Sequence, residues 1–322
     1  MTAPSRPRRR GGGEQLMVPR AEFSSYYGRP IVKRPVWTRQ DIGGYLFTGG
    51  LAAGSALVAA GADVTGRPAL RRFGRLAGLA ATVVSGAALV HDLGVPSRFH
   101  HMLRVAKPSS PMSVGSWLLS AFAAPLGVAA LSEVPAVVPS PLRGVVDTLA
   151  RPSGLAAAAV APGIATYTAV LLSDTAVPSW HAAYPELPFV FAGSALSAAA
   201  GAALVGVPIA ETAPVRRLAV LGAALELAGS QRLEHRLGIE GEPYREGRPG
   251  AWLKAAKGLT AAGAVGAALG AGRSRAVAAA SGAALVTASV LTRLAIFDAG
   301  VASTEDPKYV VQPQREAAAP KR

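Results

Sequence analysis

Charged residues are nearly absent from eight stretches of this chain, each close to the roughly 20 residues that a helix needs to cross a bilayer. The stretches are 42–62, 76–93, 115–131, 154–172, 187–209, 218–230, 253–271 and 277–297. Glu226 interrupts the sixth, which makes it the weakest of the eight. The pattern predicts an all-α polytopic membrane protein with eight transmembrane helices, arranged as two four-helix bundles. Its many small residues, such as the pair Gly50 and Gly54, predict close helix packing within the chain.

The composition excludes several classes of protein. Only 16% of the 322 residues are charged, against roughly a quarter in soluble domains. The net charge of +14 lies at the termini and in a few loops, which fits anionic lipid headgroups better than nucleic acid. The chain has no cysteine, so it cannot hold a disulfide, a thiolate metal site or a cysteine-bound iron-sulfur cluster. A redox centre would belong to a partner or to a bound organic cofactor.

The charge pattern divides the chain into three parts. Residues 1–40 form a basic tail that we expect to be disordered, 41–298 the membrane domain and 299–322 a C-terminal tail. The arginines near the N-terminus are not followed by the apolar core of an export signal. An even number of spans places both termini on one side, here called the terminal side. Its many arginines favour the cytoplasm, but those of the far-side loops oppose this, so the orientation stays open.

One connection, 88–117, stands out as long, polar and basic. Pro96 and Pro108 stop helices there, and Pro111 can open the next one. Its basic side chains include Arg98, His100, His101, Arg104 and Lys107. This segment is therefore predicted to be a functional surface at the rim of the membrane domain.

Polar residues recur at helical spacing near the terminal-side ends of the spans. They are Asp41, Tyr45 and Thr48, then Ser113, Trp117 and Ser120, then Tyr167 and Asp174, then Glu226 and Ser230, then Arg293 with Phe297. Because polar groups are costly against lipid, these stripes are expected to face inward around one polar pocket. Asp92 and Asp174 could equally cap helix ends. Trp117 and Trp180 are more typical of the aromatic belt at a membrane interface than of a ligand site.

The chemistry of such a pocket is compatible with three functions: quinone binding, ion transport and haem binding. A quinone needs hydrogen-bond donors for its carbonyls and a proton route to water. A chain of ionisable residues could instead carry ions. Haem would need axial ligands within the bilayer, and the five histidines lie at or beyond span ends, which argues against it.

Three separated segments carry a resemblance. They are HDLGVPSRF with MLRVAKPSSPMSVGSW in the connection 88–117, YTAVLLSDTAVPSW at 167–180, and FDAGVASTEDPKYVVQPQR at 297–315. This set resembles the NrfD family, the membrane subunits of polysulfide-reductase-type respiratory complexes. The resemblance implies an eight-helix protein of the prokaryotic cell membrane. It further implies electron exchange between the quinone pool and a ferredoxin-like iron-sulfur subunit, which serves a molybdopterin catalytic subunit. The quinone is expected to be menaquinone.

The resemblance also suggests roles for single residues. It matches Tyr167, Asp92, Glu226 and Arg293, with Tyr45 a looser match, while Ala169 departs from a frequent glycine. Together with the stripes, it predicts a quinone site of Tyr167, Asp92, Tyr45, Trp117 and Arg293, a proton path of Glu226, Asp92 and Arg293, and a docking surface of Arg98, His101, Arg104 and Lys107. Neither haem nor an iron-sulfur cluster is expected on this chain, which would not turn over alone. The alternative is an ion-translocating subunit without a quinone site.

Overall fold

The computed structural model describes residues 30–318 and contains helices and no strand in that range. The helices are α1 (Asp41–Val64), α2 (Pro68–His91), α3 (Pro111–Leu131), α4 (Ser140–Ser173), α5 (Pro178–Ala182), α6 (Leu187–Gly206), α7 (Ala213–Arg236), α8 (Glu242–Arg245), α9 (Gly247–Leu269), α10 (Arg275–Glu305) and α11 (Lys308–Ala318). A 3-10 helix, Pro96–Leu103, lies between α2 and α3. The all-α prediction is confirmed for this part of the chain.

Six of the described helices are long and apolar enough to cross a membrane, namely α1, α2, α3, α4, α6 and α10. They make this an integral membrane protein. Helices α7 and α9 coincide with the sixth and seventh predicted spans and are long, with 24 and 23 residues. Charged side chains, including Glu226 in α7 and Lys257 in α9, lower their apolarity below that of the six. The count of eight spans therefore stays a prediction.

Helix α3 begins at Pro111, as the sequence predicts, and a serine caps it. Pro111 is its first residue, and the Ser110 hydroxyl accepts a hydrogen bond from the Ser113 amide at 3.5 Å. Several helices are longer than predicted, α4 and α10 among them. Helix α4 begins at Ser140, in what the apolar pattern assigns to a loop, and α10 continues past residue 297 to Glu305. The segment predicted as a C-terminal tail is thus largely helical up to Ala318.

Small residues bring the helices into close contact. Helices adjacent in sequence pack as the pairs α1 with α2, α3 with α4, α6 with α7 and α9 with α10, and α1 and α4 both contact α6. A Cβ atom at Gly54 of α1 would lie 2.5 Å from the Ala195 carbonyl oxygen of α6, and one at Gly193 would lie 2.4 Å from the Glu226 amide of α7. Only glycine permits such approach, which confirms packing within the chain for the Gly50 and Gly54 pair.

The segment before α1 is anchored to the terminal ends of other helices. The Arg39 guanidinium binds the Asp298 carboxylate of α10 at 2.9 Å and lies 4.7 Å from the Trp252 ring centroid. Trp37 stacks on Trp180 with ring centroids 6.0 Å apart. Residues 1–29 of the predicted disordered tail lie outside the described residues.

Trp180 corrects one expectation, because it is not a residue of the membrane-interface belt. Its side chain is fully buried, and its indole N–H donates to the Ile296 carbonyl at 2.7 Å. A Cβ atom at Gly300 would lie 1.9 Å from the indole nitrogen, so α10 needs glycine where Trp180 packs. Trp180 thus helps to fix the terminal end of α10 in the protein core.

Several of the far-side acids and arginines form an ion network. Arg75 contacts Glu133 at 2.9 Å and Asp63 at 3.6 Å, and Arg71 contacts the same two carboxylates at 2.8 and 3.5 Å. Arg151 approaches Asp63 at 3.7 Å. The network joins α1, α2, the α3–α4 connection and α4 at the end opposite to the 88–117 segment.

Candidate functional site

A cavity of about 360 Å³ lies at the terminal side between α1, α2, α3, α4 and the connection that follows α2. Its wall is mainly apolar and includes Trp37, Ile42, Leu89, Val90, Leu93, Phe99, Met102, Leu103, Met112, Leu119, Ala123 and Leu171. Its polar lining comes from Tyr45, Thr82, Asp92, Ser116, Ser120 and Tyr167. An apolar cleft with a few polar groups is typical of a site for a small amphipathic ligand.

Two tyrosines supply the phenol groups of the cavity. Tyr45 of α1 is almost fully buried, and its side chain interacts with that of Tyr167 from α4. Gly115 of α3 makes room for this arrangement, because a Cβ atom there would lie 2.0 Å from the Tyr167 hydroxyl oxygen. Each phenol has one O–H group to donate. Because the two phenols bond to each other, one O–H group of the pair is left for a carbonyl-bearing ligand.

Carboxylates surround the mouth of the cavity where α1 begins and α2 ends. Asp92 follows the last residue of α2 and accepts a hydrogen bond from the Thr38 amide at 3.1 Å. Asp41 contacts the Thr38 hydroxyl at 2.7 Å and the His91 Nδ1 atom at 3.0 Å. The Asp92 carboxylate therefore bonds to the chain that enters α1 and also lines the cavity.

The connection 88–117 forms the outer wall of the cavity. Phe99, Met102 and Leu103 of its 3-10 helix face the lining, whereas the predicted docking residues lie exposed at the surface: Arg98, His101, Arg104 and Lys107. The Ser113 hydroxyl holds the connection in place by donating to the Val105 carbonyl at 3.0 Å and accepting from the Lys107 amide at 2.9 Å. The same segment therefore contributes apolar side chains to the cavity and basic side chains to the surface.

Trp117 does not line the cavity, although the sequence places it there. Its side chain is 43% exposed, and its indole N–H donates to the Val105 carbonyl at 3.4 Å. It shares this acceptor with Ser113, one helical turn before it. Ser116, the neighbour of Trp117, lines the cavity in its place. Trp117 therefore holds the connection against α3 and is not part of the cavity lining.

Glu226 and Arg293 form a second buried polar cluster outside the cavity. Both side chains are almost or completely buried. The Thr292 hydroxyl donates to Glu226 Oε1 at 2.8 Å, and Arg293 Nη2 donates to the Phe191 carbonyl at 2.6 Å. The guanidinium carbon lies 3.7 Å from the Phe191 ring centroid. Three buried atoms of this cluster have no hydrogen-bond partner, namely Glu226 Oε2, Arg293 Nε and Arg293 Nη1.

Helix α1 separates the cavity from this cluster. On one side of α1, a Cβ atom at Gly49 would contact Tyr45 and Ser85; on the other, one at Gly50 would lie 3.0 Å from Arg293 Nη2. The predicted single pocket is therefore two sites. The remaining stripe residues have local roles, since Thr48 bonds to Ser85 at 2.7 Å and Asp174 follows the end of α4.

Sequence reasoning missed several residues that shape the cavity. Met102 and Met112 come from the 88–117 segment, and Trp37 comes from the region assigned to a tail. Gly115 was visible inside the quoted SVGSW motif, but its contact with Tyr167 depends on how α3 and α4 pair. Apolar spacing alone gives no signal for such a contact.

Comparison with protein families assigns the chain. Residues 32–218 match the family described as Polysulphide reductase, NrfD. The match covers more than half of the chain and includes every residue of the cavity, whereas Glu226 and Arg293 lie beyond it. No curated protein matches the chain. With the membrane-spanning helices and the matched region taken together, the chain belongs to the NrfD family and is a polysulphide-reductase-type membrane subunit.

Proposed function

We propose that this subunit binds a quinone or quinol in the cavity between α1 and α4 and exchanges electrons between the membrane quinone pool and a docked iron-sulfur subunit. The observation that carries the proposal is the pairing of Tyr45 and Tyr167 at the wall of an otherwise apolar cavity. Family membership supports it, because the family takes its name from polysulphide reductase, an oxidoreductase.

The cavity suits the two parts of such a ligand. Its volume of about 360 Å³ lies within the range of small-molecule sites. Its methionine and leucine side chains can pack against an aromatic ring and an isoprenoid chain, and menaquinone is the first candidate. The O–H group that is not used between Tyr45 and Tyr167 can donate to a quinone carbonyl. When bound, a quinone supplies two-electron chemistry that is coupled to two protons.

Protons have a short route between the cavity and the surface. Asp92 lines the cavity and accepts a hydrogen bond from the Thr38 amide. The Thr38 hydroxyl bonds to Asp41, which in turn contacts the exposed His91. Carboxylate and imidazole groups can accept protons and pass them on. We assign Asp92 to proton exchange between the bound ligand and water, with His91 and Asp41 at the surface end.

The docking surface is the exposed basic face of the 88–117 segment, formed by Arg98, His101, Arg104 and Lys107. We infer that it receives a ferredoxin-like iron-sulfur subunit, which in turn serves a molybdopterin catalytic subunit. The same segment walls the cavity, so a docked cluster would lie on the side of the protein where the ligand binds. The clusters belong to the partner, since this chain has no cysteine.

We further propose that α7 and α9 cross the membrane with the six apolar helices, giving eight spans in two groups of four in a prokaryotic cell membrane. Helices α7 and α9 pack along α6 and α10, which are themselves long enough to span. Charged residues of α7 and α9, such as Glu226, can be buried against those neighbours instead of lipid.

Quinone binding is tested on the protein purified with its native lipids. Bound quinone is extracted and quantified, and the affinity for a menaquinone analogue is measured for wild type, Tyr167→Phe and Tyr45→Phe. Loss of one hydrogen bond predicts affinity about fivefold to tenfold weaker in each variant. Tyr184→Phe is the control, because Tyr184 is exposed and lies outside the cavity. Absence of saturable binding by wild type would refute the quinone proposal.

The cluster of Glu226 and Arg293 favours proton translocation as a second candidate function. Buried polar atoms without partners are costly, and Glu226 Oε2 with Arg293 Nε and Nη1 could be satisfied by water molecules along a path. Glu226→Gln is then expected to keep quinone-analogue binding and lose proton movement during turnover of the assembled complex in vesicles. Glu246→Gln, at an exposed position, is the control. Unchanged proton movement in Glu226→Gln would exclude this path.

A further inference from the structure

A second groove, of about 540 Å³, lies at the far end of the protein between the start of α7 and the end of α9. Its lining consists of Ala213, Arg216, Arg217, Val220, Leu221 and Ala268. The quinone cavity lies at the other end of the helices, where α2 leads into the 88–117 segment. The groove is therefore separate from the quinone cavity.

The two arginines of the groove lack carboxylate partners in the described part of the chain, unlike Arg71 and Arg75 of the far-side ion network. The Nε atom of Arg216 is buried and has no hydrogen-bond partner. The guanidinium of Arg216 lies against Gly272, where a Cβ atom would be 2.3 Å from its Nη1 atom. Packing thus holds one positive charge at the groove while its hydrogen-bonding capacity remains unused.

The charged residues near these segments in sequence are already engaged elsewhere and do not neutralise the groove. Arg275 binds the carbonyls of Leu204 and Val207 at 2.9 and 2.8 Å, which satisfies its donors without neutralising its charge. The nearest acid in sequence, Glu211, accepts from the Leu70 amide at the start of α2. The N-terminal end of α7 adds the partial positive charge of its helix dipole. Arg216 and Arg217 sit in this first part of α7, where positive side chains are unfavourable unless an anion is present.

Below the arginines, the groove wall becomes apolar. Val220 and Leu221 are 41% and 64% exposed, and Leu269 of α9 is 70% exposed beside Ala268. One helical turn separates the charged from the apolar positions of α7. A charged rim above an apolar wall at the end of a membrane helix matches the division of a phospholipid into headgroup and acyl chain.

We propose that this groove binds an anionic membrane phospholipid, with its phosphate between Arg216 and Arg217 and an acyl chain along Val220 and Leu221. The phosphate can accept hydrogen bonds from the accessible guanidinium N–H groups, for which planar arginine is well suited. A zwitterionic lipid presents the same phosphate with a positive group beside it, so it binds more weakly in this positive groove.

The test is native mass spectrometry of the detergent-purified protein after delipidation, titrated with phosphatidylglycerol or phosphatidylcholine. Wild type is expected to bind phosphatidylglycerol about tenfold more tightly than phosphatidylcholine. Arg216→Gln combined with Arg217→Gln abolishes this preference, whereas Arg216→Lys combined with Arg217→Lys keeps most of it. Ala268→Trp fills the groove from an exposed position without changing charge, and it weakens binding of both lipids.

Arg72→Gln is the matched control, because Arg72 is an exposed far-side arginine outside the groove. Thermal unfolding of every variant shows that it is folded. Equal binding of the two lipids by wild type would overturn the proposal, as would an unchanged preference in the Arg216 and Arg217 double glutamine variant. Inorganic phosphate that competes as well as the lipid would point to a free anion and overturn it too. A wild-type protein that forms a dimer without lipid, and that Ala268→Trp converts to a monomer, would show that a second copy of the chain occupies the groove and would also overturn the proposal.

Discussion

Gly115 of α3 lies so close to Tyr167 of α4 that a Cβ atom at position 115 would come within 2.0 Å of the tyrosine hydroxyl oxygen. The contact brings the phenol beside that of Tyr45 at the wall of the cavity. A glycine in the 88–117 segment therefore determines where a side chain more than fifty residues later can lie. The geometry of the proposed quinone site depends on this one close approach.

Gly115→Ala is expected to displace Tyr167 and weaken binding of a menaquinone analogue about tenfold or more, because the ring cannot remain where it is. The measurement is equilibrium binding to the purified protein. Gly127→Ala is the matched control on the same helix, since a Cβ atom there would meet nothing within 4 Å. Equal affinity of Gly115→Ala and wild type would show that Tyr167 does not contact the ligand.

Reversing charges on the proposed docking surface should weaken association with the iron-sulfur subunit. Arg104→Glu combined with Lys107→Glu is expected to slow association about tenfold at low salt, because exposed charges act mainly through long-range attraction. Kinetics at several salt concentrations measure the effect, which should shrink as salt rises. Arg72→Glu changes a far-side arginine in the same way and should leave association unaltered.

The far-side ion network should contribute to stability. Glu133→Gln removes the carboxylate that Arg71 and Arg75 share at 2.8 and 2.9 Å. We expect a loss of about 3 kcal/mol, at the low end for breaking a buried ion pair, because Asp63 still contacts both arginines. Unfolding of the purified protein by heat or denaturant detects this loss. Asp147→Asn, at an exposed position outside the network, should change stability by less than about 0.5 kcal/mol.

Attachment of α11 should depend on pH. Lys308 of α11 contacts Glu242 of α8 at 2.7 Å, and its hydrogen bond lowers the pKa of Glu242, while the same bond raises the pKa of Lys308. A lowered carboxyl pKa stabilises the folded arrangement above the ordinary glutamate pKa, and this is lost as pH falls through the folded value. The stabilisation from a raised lysine pKa is fully present below the ordinary lysine pKa, and it is lost as pH rises through the pKa of the folded state. The pair therefore holds α11 most firmly around neutral pH.

A spin label measures this attachment, since Gln312→Cys would introduce the chain's single cysteine. Its mobility is expected to rise as pH falls below about 4. The change will be modest, because both side chains are about a third exposed and such pairs contribute at most about 1 kcal/mol. In a Glu242→Gln background the mobility should be high at neutral pH and change little on acidification.

Local sequence information was sufficient for much of this protein. Apolar length placed helices at all eight predicted spans, because in lipid the backbone must satisfy its own hydrogen bonds. Pro111 marked the start of α3, and the quoted motifs identified the family that residues 32–218 confirm. Each of these features depends only on residues within one helix or one connection, so it can be inferred from the local sequence.

The partition of polar residues into sites depended on tertiary structure. Helical spacing placed Tyr45 and Arg293 on faces that point into the protein. Helix α1, however, contacts other helices on both of its sides, and it separates the cavity lined by Tyr45 from the cluster that contains Arg293. The same limitation hid the burial of Trp180 in the protein core and the sharing of Glu133 by two arginines. The sequence by itself determined which segments are helical and apolar; the packing of small residues between helices decided which side chains meet.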